Sequence, residues 1–358
     1  MKNFLIYPLL LLLGIFFVIP IGNMLLYSVY NTKVETHLPK TATAFKENKD
    51  VYEAYVLDLK DEKSMGVINY LNHYYSESRS LIIKTRKNID QFQPPYKQSL
   101  ENFDERYKDS KFWEVLENET HAFTLENYKM IFSQFDGVYF QILYQTIYLG
   151  ICITCITVLI SYPTAYYLTT IKNRWLFLIC IFSVLLPFFT NYLSRLVAWL
   201  VLLQQNGLIN QFIEYVGFSK IALMNNTLGI FIGSMYILLP LAILPIYTTM
   251  KKIKNEYYKT GQILGGSKIQ IFRYVYFPMT AIGVYNAIIL VFMTVIGFYL
   301  TPALLGGSKG KFITEQIIYN IEQTLNWGLA TALTSTLFFV VMLLFGIYAK
   351  LNKGIIHA

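Results

Sequence analysis

Six apolar runs, near residues 4–29, 139–171, 175–203, 227–250, 279–301 and 328–350, constrain this chain more than any other feature in it. Each is long enough to cross the roughly 30 Å of hydrocarbon in a bilayer as a helix. Inside hydrocarbon every backbone N–H and C=O must be bonded within the protein, so an isolated run of this length forms a helix. A mean hydropathy of +0.41 with only 15% charged residues excludes an ordinary soluble domain, which carries about 25% charge. The expected fold class is an all-α integral membrane protein with six transmembrane helices. Six spans leave both termini on one side.

The distribution of Lys and Arg says which side. With the amino terminus inside, the inner segments hold Lys2, Lys172, Arg174, Lys251, Lys252, Lys254, Lys259, Lys268, Arg273, Lys350 and Lys353 against one acid, Glu256. The short outer loops hold Lys220, Lys309 and Lys311. The positive-inside rule therefore places both termini in the cytoplasm. The net charge of +8 reads as a topology signal, because the cations flank spans and form no single patch; no nucleic-acid partner is expected. The first run is too long for a cleaved signal peptide and lacks a small-x-small site before Asn31, so residues 1–30 are expected to be a retained anchor. Cys152, Cys155 and Cys180 all fall within the runs and read as small buried hydrophobes.

Residues 31–138 hold 15 of the 30 Lys and Arg and 18 of the 22 Asp and Glu. Val51, Tyr55 and Leu59, then Ile68, Leu71 and Tyr75, recur at helical spacing, which predicts a small helical segment outside the membrane over 31–122. Pro94-Pro95 is expected to split it into two parts. A surface that contacts a partner protein and a structural cap both fit this insertion.

Between the fourth and fifth runs lies a basic, Gly-punctuated segment, residues 251–278. Gly265-Gly266 can fold two short amphipathic pieces into an L, since Gly accepts backbone conformations that other residues resist. Ile263, Leu264, Ile269, Ile271 and Phe272 would supply apolar contact to a partner cleft, and Lys268 and Arg273 a polar rim. A solvated loop whose glycines merely turn the chain is the plainer reading.

Gly265, Gly266, Ser267 and Pro278 fall where the coupling loop of binding-protein-dependent ABC importer permeases has its Gly-Ala-Ser and its later Pro. The segment resembles that loop, with departures: the family's Glu falls on Lys259, and its two Ala on Thr260 and Gly261. Two outer segments also resemble this family. Pro187 to Trp199, with Leu202 to Asn210, is similar to the third span and outer loop of permeases for polyamines, and Gly297 to Gly307 is similar to the family's Thr-Pro-Ala-Leu-Leu-Gly-Gly. Phe123 to Tyr128 resembles the family's entry to the permease core, with Thr124 as a helix cap.

The resemblance, continuous over 123–358, implies a type I ABC importer permease fold with a five-helix core behind the first anchor. It implies that Lys259, Gly261, Gly265, Gly266, Ser267, Lys268, Phe272 and Pro278 dock on an ABC ATPase dimer. Asn191, Tyr192, Arg195 and Trp199, with Thr301, Pro302, Gly306 and Gly307, would line the translocation route or its outer gate. For Arg195, the one charge placed inside a span, a snorkelling interfacial role is the alternative. The implied partners are a second permease subunit, an extracytoplasmic solute-binding protein and membrane lipid, and the implied location is a bacterial cytoplasmic membrane. Spermidine or putrescine is the implied cargo.

No Gly-x-x-x-x-Gly-Lys-Ser/Thr occurs, so this chain is expected to bind no cofactor, with ATP and Mg held by the partner ATPase. No catalytic or metal-ligating constellation is present: the four His, at 37, 73, 121 and 357, share no ligand spacing. A proton-coupled secondary transporter is disfavoured because the last five runs lack Asp and Glu. A membrane-anchored sensor would explain the insertion but not the loop.

Overall fold

The computed structural model describes residues 11–30, 33–61, 71, 75, 77–118, 120, 123, 125–133, 137–307, 311–323 and 326–356. Among these the chain is helical, apart from one isolated bridge between Tyr30 and Phe123. Helix α1 is Leu11–Val29. It is followed by α2 Lys33–His37, α3 Pro39–Glu47, α4 Val51–Leu59, α5 Ser78–Lys87, α6 Tyr96–Phe103 and α7 Ser110–Asn118. Next come α8 Glu126–Ser133, α9 Val138–Thr170, α10 Arg174–Phe189, α11 Tyr192–Leu203 and α12 Leu208–Tyr215. The remaining helices are α13 Thr227–Lys251, α14 Asn255–Ile263, α15 Lys268–Ile296, α16 Leu300–Leu305, α17 Ile313–Glu322 and α18 Trp327–Ile356.

Two compact units result: Met1–Val138 with Gln316–Phe338, and Tyr139–Glu315 with Phe339–Ala358. In the first, α2 to α7 surround a core of Val34, Leu38, Tyr55, Leu59, Leu71, Leu81, Leu100, Tyr107, Phe112 and Leu116. Residues on both sides of Pro94-Pro95 share this core, so the prolines separate helices without dividing the segment, contrary to the sequence expectation. The core is held by polar bonds as well. Asp58, buried on α4, accepts from the Thr41 backbone N–H at 2.7 Å, the Thr41 hydroxyl at 2.7 Å and the Lys40 N–H at 3.2 Å, and so caps the start of α3. Ile68 and Thr124 lie outside the described residues.

In the same unit the Asn127 amide donates to the Ser28 carbonyl at 3.1 Å. A Cβ on Gly328 would come 3.0 Å from the Asn127 side chain. These contacts tie α8 to the end of α1 and the start of α18. Earlier in α1, Leu11, Phe16 and Val18 are each more than 60% exposed, as suits a helix whose solvent is lipid.

The second unit is built on α9, α13 and α15, whose core includes Ile153, Ile230, Leu238, Ala242, Ile246, Ala287, Val291 and Val295. Small residues allow the backbones to approach. A Cβ on Gly283 of α15 would lie 2.7 Å from Thr249 Oγ1 and 2.9 Å from the Pro245 carbonyl of α13. Pro163, Pro187, Pro240 and Pro245 all sit inside helices.

Among the described residues six helical segments are long and apolar enough to cross a membrane: Leu11–Val29, Val138–Thr170, Tyr192–Tyr215, Thr227–Lys251, Lys268–Ile296 and Trp327–Lys350. The third differs from its expected position. The apolar run over 175–203 is two helices, α10 and α11, parted by an extended Thr190 and by Asn191, whose side chain accepts the Leu193 N–H at 2.8 Å. Thr190 and Asn191 sit within the run, and the Asn191 N-cap restarts the helix.

Candidate functional site

Helix α14 ends in a Schellman motif. The Gly266 N–H reaches the Gly261 carbonyl at 3.0 Å and the Gly265 N–H the Gln262 carbonyl at 2.9 Å, with Gly265 at φ +76°. Ser267 then opens α15 with a capping box: Gln270 Oε1 accepts the Ser267 N–H at 2.8 Å while the Ser267 hydroxyl accepts the Gln270 N–H. One helix stops at Ile263 and the next starts at Lys268. The corner is compact because Gly261 has no side chain; a Cβ there would meet Ile271 Cγ1 at 2.9 Å.

Ile271 is 3% exposed, so it holds the corner together and is not available to a partner, which corrects the sequence expectation. The apolar residues left outward are Ile263 at 84%, Leu264 at 81% and Ile269 at 78% exposure, with Lys259, Lys268 and Arg273 exposed around them. Three such exposed apolar residues on one corner form the kind of patch that marks an interaction surface. The other leg is anchored: Phe272 lies 6.1 Å from the Tyr162 ring and Tyr276 5.6 Å from Tyr166, and the Tyr162 hydroxyl is 3.0 Å from Thr280 Oγ1. Pro278 lies inside α15, just after a π-turn over Phe272–Tyr276; the wider turn falls where the proline's missing N–H would break an α-helical bond. These contacts join the corner to α9 and to the body of α15.

The second cluster joins α11 to α16. Tyr192 Oη and Thr301 Oγ1 are 2.7 Å apart, and the Tyr192 ring lies 5.8 Å from Phe298. Arg195, one turn on, places Cζ 5.9 Å from the Tyr192 ring centroid, and its Nε is buried without a hydrogen bond. Trp199, a further turn on, meets Tyr236 of α13 edge-on at 5.4 Å. Asn191 is the α11 N-cap described above, so its side chain is committed to the backbone.

Helix α16 is wedged against the start of α13. Asn226 caps α13 through the Gly229 N–H at 3.1 Å and donates its own N–H to the Leu305 carbonyl at 3.2 Å. Cβ atoms on Gly229 and Gly233 would collide with Leu305, at 2.8 and 2.4 Å. Thr301, Pro302 and Gly306 are buried, and Gly307, at φ +59°, leaves no room for a side chain beside the Asn225 carbonyl at 2.9 Å. Asn226, Gly229, Gly233 and Tyr236 were not singled out from sequence, although Gly229 and Gly233 have the Gly-x-x-x-Gly spacing of close helix packing. Beyond α16, the Thr314 hydroxyl donates to the Phe298 carbonyl at 2.6 Å. Next to it, half-buried Glu315 has its carboxyl pushed up to about 6 by burial, against the opposing pull of the Phe312 N–H and Lys311.

The apolar helices and the capped, solvent-exposed cationic corner define a multi-pass helical membrane protein. Residues 146–357 match the family model described as "Binding-protein-dependent transport system inner membrane component", and the chain belongs to that family. It is similar to the spermidine/putrescine transport system permease protein PotB of Haemophilus influenzae, 30% identical over 64% of this chain and 80% of that one. Its similarity to PotB of Escherichia coli K12 is 29% identity over 62% of this chain and 81% of that one. Among solved structures, a bacterial importer of the acidic polysaccharide alginate matches 64% of this chain and 82% of its own at TM-score 0.53 and 12% identity, a likeness of fold. The chain is thus a multi-pass inner-membrane permease subunit of a binding-protein-dependent ABC importer, and not an enzyme.

Proposed function

We propose that this permease imports a polyamine such as spermidine or putrescine, and that the observation carrying this reading is the similarity to PotB over about four-fifths of that protein. Both termini face the cytoplasm, and the 31–122 segment lies outside, in line with the Lys and Arg distribution. The partners are a second permease subunit, an extracytoplasmic binding protein and an ABC ATPase dimer that holds ATP and Mg. The corner at Gly265 docks in the ATPase through Ile263, Leu264 and Ile269, with Lys259, Lys268 and Arg273 at the rim. ATP-driven closure of the ATPases moves this corner, and the Phe272–Tyr162 and Tyr276–Tyr166 contacts pass the movement to the spans, a rigid-body switch between two packed states.

At the other end, the Trp199 and Tyr236 rings offer an ammonium cargo a cation–π surface, beside the Thr301–Gly307 gate. Arg195 already occupies the Tyr192 face in this way. The test is ATP-dependent uptake into proteoliposomes that hold this chain with its ATPase, second permease and binding protein. Labelled spermidine or putrescine should accumulate, and unlabelled alginate oligosaccharide or ferric ion should not compete. Competition by those, with no polyamine accumulation, would overturn the cargo assignment.

A further inference from the structure

Two helix ends meet at one place in the second unit. The Phe177 ring of α10 lies 6.2 Å from the Tyr247 ring of α13. Arg174 precedes Phe177 by three residues and Lys251 follows Tyr247 by four, so each shares a helix face with its aromatic. Lys251 Nζ is 5.6 Å from the Tyr247 ring centroid. Both cations therefore lie just beyond the same contact, at the same end of the helix pair. Ile171 packs on the core cluster that includes Tyr247 and Met250; Lys172 follows it in the α9–α10 turn, and Lys252 is the C-cap of α13.

All four cations are exposed, and the ion pairs among the described residues involve none of them. Glu256, inside the next helix, is the nearest acid in the chain. The wall that rises from this cluster is apolar and faces outward: Trp175 is 75% and Ile179 62% exposed. An exposed Trp beside Arg174 marks headgroup depth, and the helix continues from there into hydrocarbon. Four unneutralised cations on adjoining helix ends repel one another, and a phosphate between them removes that repulsion; the Arg fork can bind two of its oxygens.

We propose that Lys172, Arg174, Lys251 and Lys252 form a binding site for the phosphate headgroup of an anionic phospholipid, whose acyl chains lie along the exposed face of α10. A protein surface would need only the charges. The continuous apolar wall next to them fits a lipid, which carries both parts in one molecule.

The test is native mass spectrometry of the full-length chain released from micelles that contain equal phosphatidylglycerol and phosphatidylcholine. The wild type should retain phosphatidylglycerol preferentially. Retention should fall about 25-fold in Arg174→Gln/Lys251→Gln, about 5-fold for each cation lost, and should survive in the charge-keeping Arg174→Lys/Lys251→Arg. Lys172→Gln and Lys252→Gln, both in exposed turns, should each cost about 5-fold even if the double variant proves unstable. Lys111→Gln, in the insertion, should change nothing. Equal retention of both lipids by the wild type, or unchanged phosphatidylglycerol in the neutral variants, would overturn the proposal. Displacement of the lipid by millimolar inorganic phosphate would make this a free-anion site. Loss of ATPase co-purification with lipid retention intact would make it a protein-docking surface instead.

Discussion

Tyr192 and Thr301, 109 positions apart in the chain, share a hydrogen bond of 2.7 Å between Tyr192 Oη and Thr301 Oγ1. It fastens the short α16 to the first turn of α11, and Thr301 is fully buried. Such a bond contributes most through what its loss leaves behind: a buried hydroxyl without a partner.

Thr301→Val keeps the shape and strands the Tyr192 hydroxyl. It should destabilise the protein by about 1–3 kcal/mol, read as a lower melting temperature in detergent. Tyr192→Phe/Thr301→Val removes both partners and should recover most of that loss. A double variant as unstable as the sum of the singles would show that the two hydroxyls act independently.

Gly265 and Gly261 should fail for different reasons. A Cβ at Gly265 meets nothing within 4 Å, but φ is +76°, so Gly265→Val carries backbone strain of about 1–3 kcal/mol, while Gly265→Asn, which tolerates this conformation, should retain function. At Gly261 the obstacle is Ile271 at 2.9 Å. Gly261→Val should therefore be relieved by Ile271→Ala, and Gly265→Val should not. Both valine variants should reach the membrane yet lose ATPase stimulation by loaded binding protein; wild-type stimulation in Gly265→Val would remove the corner from the coupling path.

Asp58 is 1% exposed and holds three donors of the α3 start. Asp58→Ala should leave them unpaired, the two on Thr41 buried, at a cost of about 1–3 kcal/mol. Faster hydrogen exchange should appear over Pro39–Glu47 and not in α13 or α15. Uniform exchange changes across both would mean that the insertion does not melt locally.

Glu315 sets a pH dependence. Its folded carboxyl titrates near 6 against an ordinary value of 4.5, so the folded state favours the protonated form. The stability this lends is fully present below about 4.5 and is lost as pH rises through 6. Melting temperatures of wild type and Glu315→Gln should diverge over that interval, with the wild type losing ground as pH rises. Parallel curves from pH 4 to 8 would place the titration elsewhere.

What the sequence by itself determined was local or statistical. Run length and the Lys and Arg bias are properties of consecutive residues, and the bilayer leaves such runs one backbone solution. The corner at Gly265 was also legible, because a positive φ and a capping box are set within a few positions. The tertiary structure decided what depends on distant partners. Asn191 divides a run read as one span from its length, and only the placement of α16 against α11 makes Tyr192 and Thr301 a pair. Ile271 and Ile269 look alike in the chain, two residues apart on an amphipathic turn. Their fates, 3% and 78% exposed, were settled by which one faces the bare backbone of Gly261. In the insertion, helical spacing was visible before Pro94-Pro95, at Val51, Tyr55 and Leu59. That both sides close one core follows from long-range burial of Tyr55, Tyr107 and Phe112, and no local period records it.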